Sequence, residues 1–578
     1  MEERCVVNLW RMGWRLWRAR PGLATAGTAA WIAFHTMPFF AGLVLREIFD
    51  ALSGNEPAGA NAYSLIAVLA GVEAVRWSIF FAAWVSWLRM WEWMSALVRA
   101  NMLSGALFDR GAASERLPRS AGEAVTRFRD DVEDVMWFVD IHLDVAGGIL
   151  FSALALSVMS KIDPLVTLVA IMPLIAVLIG NRILTTRMRG LRHAYREATA
   201  TTTAFLGELF ASTLSVKTGA AERNVVARLR GLNSRRTTAA IRDHVGRESL
   251  NAFNVATVEV AIGVMLLVAA PAMRRGEFTV GDLALFTTYI DALSGLPRRI
   301  GRLLAFKRHA NVAVDRMQLL VGEDPHRLAE HRPLYLTAPV PAPATAGPRA
   351  DGDGDGDGAL RRLSVEDLSL RYPASGRGLH GVDLVLEAGS VTVVAGEVGA
   401  GKTTLVRALL GLAPRDRGVI RWNDREIDDP GSYLVPPRCA YVPQVPQLFS
   451  ESLAQNIALG HVADAAGVRD ALRLAVLDHD VAAMTDGLDT LLGPRGVRLS
   501  GGQIQRTAAA RAFLRRTDLV VVDDPSSSLD VETEELMWAR LLERTGRTLL
   551  IVSNRPEVAA RADQVVVLAG GEIVERSR

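Results

Sequence analysis

From Val391 to Leu405 the chain reads V-T-V-V-A-G-E-V-G-A-G-K-T-T-L. This apolar, β-branched run breaks into Gly396, Glu397, Val398, Gly399, Ala400 and Gly401 before Lys402, Thr403 and Thr404. Glycines at this spacing let successive backbone N–H groups turn inward as an anion nest at a helix N-terminus. Lys402 then reaches terminal phosphates and the Thr403 hydroxyl can sit on Mg²⁺, so the ligand implied is a nucleoside triphosphate. Lysine usage sharpens the point. Besides Lys402 the chain has only Lys161, Lys217 and Lys307 against a crowd of arginines. The drift to arginine has spared this position, where a compact ammonium fits and a planar guanidinium does not.

Other stretches suit the same chemistry. Arg371-Tyr372-Pro373 offers an aromatic face that can stack on an adenine ring, although a lone Tyr in a strand is ordinarily packing. Y-V-P-Q at 441–444 places Gln444 within reach of the ion or an attacking water. L-S-G-G-Q at 499–503, which is Leu499, Ser500, Gly501, Gly502 and Gln503, presents a hydroxyl and backbone N–H groups at a helix start, with Arg506 and Arg511 following. That is a second phosphate cradle, one that a single domain cannot bring to its own nucleotide, so a second domain must face it. In L-V-V-V-D-D-P at 519–525, Asp523 ends a buried strand. A carboxylate there can hold the water shell of the Mg²⁺ that Thr403 touches. Taken singly, the 499–503 stretch reads as a helix N-cap and Gln444 as a turn residue. The order and spacing of the whole set are what is specific.

The elements that must position these groups follow from the pattern around them. From 361 onward apolar strands alternate with helices, which predicts an α/β domain with a largely parallel sheet and the glycine loop at 396–403, a P-loop, at a strand end. Ahead of it, 332–358 holds P-V-P-A-P-A-T-A-G-P and then D-G-D-G-D-G-D-G, which cannot bury a core. The Asp-Gly run lacks the spacing and terminal Glu of a Ca²⁺ loop, so it reads as a solvated tether. Deleting Asp351 to Gly358 is expected to leave activity nearly intact, because shortening a flexible loop changes closure entropy only slightly. Activity assayed with and without calcium checks this: a calcium dependence that vanishes with the deletion would make the run a binding loop.

The first half of the chain has a different solvent. Half of all residues are hydrophobic (50%), which is high for a soluble protein, and the net charge of +2 offers no argument for nucleic acid. Abundant Ala and Arg with little Lys suit a GC-rich bacterial genome. Arginines 4, 11, 15, 18 and 20 interrupt the N-terminus, so it does not read as a cleavable signal. Residues 6–19 instead carry Trp10, Trp14 and Trp17 on one face and Arg11, Arg15 and Arg18 one residue along, the pattern of a helix lying in a membrane interface. Six apolar stretches of spanning length follow, at 22–45, 62–88, 135–160, 164–184, 251–273 and 278–297, with charges intruding on the third and sixth. The N-terminus, 99–129 and 182–247 are arginine-rich, whereas 47–61 has neither Lys nor Arg, which puts both chain ends in the cytoplasm. Cys5 and Cys439 then lie in reducing surroundings and no disulfide is expected. Ionisable residues within the spans are His35, Glu73, Arg76, Asp140, His142, Asp144, Glu259 and Asp291. They read either as a polar translocation cavity suited to cargo with a cationic part, or as groups that satisfy one another.

Residues 361–578 resemble the nucleotide-binding domain of the ATP-binding cassette (ABC) transporters, and with six spans fused ahead the whole chain resembles an exporter-type half-transporter. The resemblance implies a transmembrane domain at 1–320, a linker at 321–360 and the cassette domain at 361–578. It implies ATP and Mg²⁺ as cofactors, a Walker A at 396–403, adenine stacking on Tyr372, a Q-loop at Gln444, a signature at 499–503, a Walker B at Asp523 and a D-loop at Ser527 to Asp530. It also implies coupling helices within 99–125 and around 207–217, and an elbow helix at 6–19.

Three departures from that family stand out. Asp524 occupies the place of a catalytic Glu, Asn554 that of a switch His, and Pro494 lies in T-L-L-G-P-R-G where acidic residues are usual. Asp is about 1.5 Å shorter in reach than Glu, and Asn can donate a hydrogen bond to a γ-phosphate but cannot carry a proton. With an intact signature, this resembles the degenerate-site subunit of a heterodimer. The expected function is ATP-driven export of an amphipathic small molecule or peptide across a bacterial cytoplasmic membrane, with a second half-transporter as partner. Its rivals are a slow homodimer, an ATP-gated regulatory or channel-like subunit, and an exporter-fold importer, for example of siderophores.

Overall fold

The computed structural model describes residues 9–54, 61–108, 121–322, 324–334, 358–372, 375–493, 499–524, 529–542 and 547–577. Cys5, Pro494, Ser527, residues 109–120 and the tether from 335 to 357 lie outside them. The chain divides into two compact units, one built around the N-terminal helices and the other around the C-terminal sheets.

The helical unit runs α1 (Leu9–Arg18), α2 (Pro21–Ser53), α3 (Ala62–Phe108), α4 (Ala121–Thr126), α5 (Val132–Ile162), α6 (Pro164–Ala211), α7 (Thr213–Thr218), α8 (Glu222–Arg275) and α9 (Val280–Val321). Each of the six apolar stretches falls in a different long helix: α2, α3, α5, α6, α8 and α9. Among the described residues, α2, α3, α5 and α8 are long and apolar enough to cross a membrane. The Pro164–Pro173 portion of α6 is apolar too, and in α9 Arg298, Arg299 and Arg302 follow directly on the apolar stretch. Local chemistry sets the helix ends. Pro21 and Pro164 open α2 and α6, where a missing N–H costs nothing, and Asp163 accepts the N–H groups of Leu165 and Val166 at 2.8 and 3.0 Å. Gly54 and Gly276 close α2 and α8 at φ of +70° and +76°, a left-handed turn that other residues resist.

In α1 the spacing of Leu9, Met12 and Leu16 puts all three on one buried face, leaving Trp10 and Trp14 more than half exposed beside Arg11, Arg15 and Arg18. Trp17 shares the face of Trp10 and Trp14 but is more covered than either. It is half-buried, stacks on Trp14 at 5.0 Å and donates from Nε1 to the Thr28 hydroxyl at 3.3 Å.

Four of the eight ionisable residues of the spans pair with one another. Arg76 sits 3.3 Å from Glu73 one turn away. Asp144 of α5 accepts from Trp31 Nε1 at 2.7 Å and lies 3.0 Å from His35 Nε2, both on α2, while Arg302 of α9 stands 3.7 Å from its other oxygen. Gly147 makes room for this contact, since a Cβ there would stand 2.7 Å from His35 Cβ. Farther on, α6 and α8 are joined through the six-residue α7, where Phe210 and Leu214 leave an apolar tip exposed.

The second unit contains β1 (Arg362–Arg371), β2 (Gly378–Glu387), β3 (Val391–Ala395), β4 (Arg417–Trp422), β5 (Arg425–Glu426), β6 (Cys439–Val442), β7 (Leu519–Asp523), β8 (Thr548–Val552), β9 (Gln564–Ala569) and β10 (Glu572–Ser577). Six of them form one sheet in the order β10-β9-β3-β8-β7-β6, parallel from β9 to β6, and β2-β1-β4-β5 form an antiparallel sheet. Every residue of β7 and β8 is buried, as continuous Val/Leu/Ile runs require when both faces of a parallel sheet are covered. Cys439 lies inside this sheet, where burial pushes its thiol well above the usual range and keeps it unreactive.

Candidate nucleotide site

The sheet delivers the predicted residues to one place because parallel strands end together at their C-terminal edge. β3 runs out at Ala395 into the glycine loop, and α10 (Lys402–Leu409) begins directly after it. Gly396, Gly399 and Gly401 stand at φ of +145°, +87° and +105°, which turns the backbone N–H groups inward. At Gly396 a Cβ would also stand 2.2 Å from the carbonyl oxygen of Leu568 on β9, so only glycine fits.

A cavity of about 460 Å³ opens there, lined by Val398, Gly399, Gly401, Lys402, Thr403, Thr404, Gln444, Asp523, Asp524, Asn554 and the neighbours of Asn554. Lys402 Nζ donates to the carbonyls of Gly396 and Glu397 at 2.5 and 2.9 Å, curled over the loop it would share with a phosphate chain. Asn554 Oδ1 accepts the Gly396 N–H at 3.0 Å. Asp524 stands at φ +45°, a left-handed conformation that Asp tolerates better than most residues, with its N–H donating to Val552 on β8 at 3.1 Å.

Thr403 Oγ1 donates to Asp523 Oδ1 at 3.2 Å, so the two side chains expected at a metal stand together. Asp523's other oxygen takes the Tyr441 hydroxyl at 3.4 Å. Hydroxyl, carboxylate and the Gln444 amide give hard oxygen donors at the phosphate end of the cavity, a set that fits Mg²⁺, which keeps waters and takes few protein ligands. Burial pushes the Asp523 carboxyl above its usual range, the negative Asp524 adds to this, and the hydrogen bonds from Thr403 and Tyr441 oppose it. The Tyr441 phenol is pushed up to about 12, by burial first and then by the Asp523 charge, so it stays a neutral donor.

Asp523→Asn should therefore act in two opposite directions. A carboxyl raised by burial stabilises the fold fully only when protonated, and that contribution is lost as pH rises through its folded value. At neutral pH the ligand-free Asn variant is expected to melt above the wild type, with the difference closing in acid, while the added protection from Mg²⁺ with ATP disappears. Thermal melts across pH with and without the nucleotide read both effects. A lower ligand-free melting point at neutral pH would contradict the burial argument.

The remaining predicted residues lie elsewhere. Ala400 is buried within the loop, and Gly396 and Glu397 meet the Lys402 ammonium rather than the cavity wall. Tyr372 is half-buried against the core at the turn after β1 and is not among the lining residues. Leu499 to Gln503 are also absent from the lining. Ser500 instead caps the helix Gly501–Phe513 in a reciprocal box, its hydroxyl accepting the Gln503 N–H at 3.3 Å while Gln503 Oε1 accepts the Ser500 N–H at 3.0 Å. Asp480 then takes Gln503 Nε2 at 2.8 Å and Arg506 at 2.6 Å, fixing the start of that helix.

Two functional partners escape the sequence reading. Tyr441 reaches Asp523 only because β6 and β7 pair in register with Tyr441 opposite Val521, a pairing that no local motif announces. Glu534 meets Arg555, beside Asn554, at 2.9 Å across two separate elements.

The model of the ABC transporter transmembrane region matches residues 26–296, and that of the ABC transporter matches residues 379–527. An ATP-dependent lipid A-core flippase of Chromobacterium violaceum is 27% identical over 470 residues, which cover 79% of this chain and 75% of that one. A protein of the same name from Bordetella pertussis is 30% identical over 349 residues, 60% of this chain and 52% of that one. The chain thus spans three quarters of the first relative and about half of the second. Among solved structures, a bacterial Atm1-family ABC exporter with ATP bound matches at a TM-score of 0.70 and 21% identity, covering 96% of this chain and 95% of that one, which shows a common fold.

Proposed function

Because the chain belongs to the ABC transporters, as an exporter-type fusion of a membrane region with an ATPase domain, we propose that it is the degenerate-site half of a heterodimeric exporter. Its cargo is an amphipathic small molecule or peptide, moved across the bacterial cytoplasmic membrane. The flippase names of two relatives support an amphipathic cargo, and the long apolar helices support a multi-pass membrane protein.

One observation carries the dimeric and asymmetric parts of this reading. The cavity gathers Lys402, Thr403, Gln444 and Asp523 with a shortened carboxylate at Asp524 and an amide at Asn554, while none of Leu499 to Gln503 lines it. A γ-phosphate held here needs the exposed start of the Gly501–Phe513 helix from a second domain, and this chain's own Ser500 to Gln503 would complete the partner's site. ATP binding closes the two domains and biases the spans toward one side, and hydrolysis at the competent site releases them. Tyr372, the elbow at 6–19 and the tips near 99–125 and 207–217 take their family roles in this reading.

The test compares the chain alone in nanodiscs with the chain co-purified with a neighbouring half-transporter. Alone it should bind ATP and turn it over slowly; the pair should turn it over quickly and respond to cargo. Fast turnover by the lone chain would overturn the degenerate site.

A further inference from the structure

The Asn554 amide is held over the P-loop from behind. Arg555, the next residue, lines both the nucleotide cavity and a smaller cavity of about 220 Å³ bounded by Val531, Glu534 and Trp538. Its guanidinium stands 2.9 Å from Glu534 Oε2 on the helix Val531–Leu542. Glu534 is only 4% exposed, and its second oxygen takes Trp538 Nε1 at 3.4 Å. A carboxylate buried to this degree is costly unless paired, and Arg555 supplies the opposite charge. The same short loop is fixed on its other side, where the Arg555 N–H donates to Ser553 Oγ at 3.2 Å and the Ser553 N–H to the Val394 carbonyl on β3 at 3.2 Å. At the far end of the chain of contacts, Asp530 caps the Val531–Leu542 helix by accepting the Thr533 N–H at 2.9 Å. A continuous path therefore runs from Asp530 through Glu534 and Arg555 to Asn554 and the Gly396 N–H.

We propose that Glu534 is a positioning residue for the nucleotide: through Arg555 it sets where the Asn554 amide stands over the P-loop, and so how strongly the site prefers ATP to ADP. The chemistry follows from the amide. With its oxygen on the Gly396 N–H, Asn554 keeps its NH₂ free to donate to a terminal phosphate. ADP lacks the γ-phosphate that this donor serves, so its binding is indifferent to where the amide stands. A shift in the helix that follows Asp530 would reach the phosphate end of the cavity through one ion pair.

This inference rests on the cavity being an ATP site, and equilibrium binding of ATP and of ADP to the full chain in nanodiscs separates the two claims. Glu534→Gln is expected to weaken ATP by about fivefold, the scale of one hydrogen bond, and to leave ADP unchanged. Asn554→Ala should do the same, and Glu534→Gln added to it should cost nothing further. If Glu534→Gln does not assemble, Glu534→Asp keeps the charge but shortens its reach to Arg555 and is read in the same way. Equal weakening of ATP and ADP, additive losses in the double variant, or no loss of ATP affinity would each overturn the positioning role. Wild-type chain that binds neither nucleotide would instead overturn the ATP site itself.

Discussion

If the chain is the degenerate-site half of a heterodimer, then in the chain purified with a candidate partner half-transporter Gly501→Asp is expected to nearly abolish ATP turnover while Lys402→Ala leaves a measurable fraction. Gly501 is the exposed first residue of its helix, behind the Ser500 cap. A carboxylate at that end of a helix is mildly favourable, by about 0.3–1 kcal/mol, so the variant should fold and the capping box should survive. Its effect appears only when a γ-phosphate of the partner's site comes opposite. Two unit charges at 4 Å in a partly solvated interface repel by about 4 kcal/mol, or roughly a thousandfold in rate. Lys402→Ala acts on this chain's own cavity, where it removes the ammonium that now bridges the Gly396 and Glu397 carbonyls. If that cavity contributes little hydrolysis, the loss comes mainly through weaker closure of the dimer. ATPase rates at saturating ATP, with assembly confirmed by size, decide the matter. Equal inactivation would favour two equivalent sites, and Lys402→Ala being much the worse would place the working site on this chain's own P-loop.

What could be read from the chain beforehand was whatever sits close together along it. The P-loop glycines, Lys402, Thr403 and the strand-ending Asp523 carry their geometry in local spacing, and the sheet brings them to a single cavity. The reciprocal cap between Ser500 and Gln503 was legible as an N-cap for the same reason. The partners that escaped join distant elements. Tyr441 finds Asp523 through strand register, and Arg555 finds Glu534 through the packing of a helix against the end of β8. The cover on Trp17 could not be read either, because a helical period assigns a face but not the neighbour that meets it; Thr28 on α2 supplies a polar partner for the indole. The same limit applies to Asp144, whose contacts with Trp31 and His35 depend on α2 lying beside α5 at Gly147.

The second large effect concerns repair of the site. Asp524→Glu with Asn554→His, in the assembled transporter, should raise ATP turnover by roughly tenfold or more, toward the range that a well-placed general base contributes. Asp524 already lines the cavity, anchored by its N–H on Val552, so the added methylene extends the carboxylate about 1.5 Å from a fixed root. There is a local cost, because φ of +45° suits Asp better than Glu. That cost falls on stability and should show as a small drop in melting temperature rather than in rate. At 554 a neutral imidazole can accept the Gly396 N–H through its unprotonated nitrogen, as the amide oxygen does now, and turn its N–H to the phosphate. Unlike the amide it can also become cationic as charge develops, giving up the Gly396 N–H to do so. The two changes are close enough to couple, so the pair should exceed the product of the single effects. Turnover that stays at the wild-type level in a folded, assembled complex would mean that neither reach nor switch chemistry limits this site.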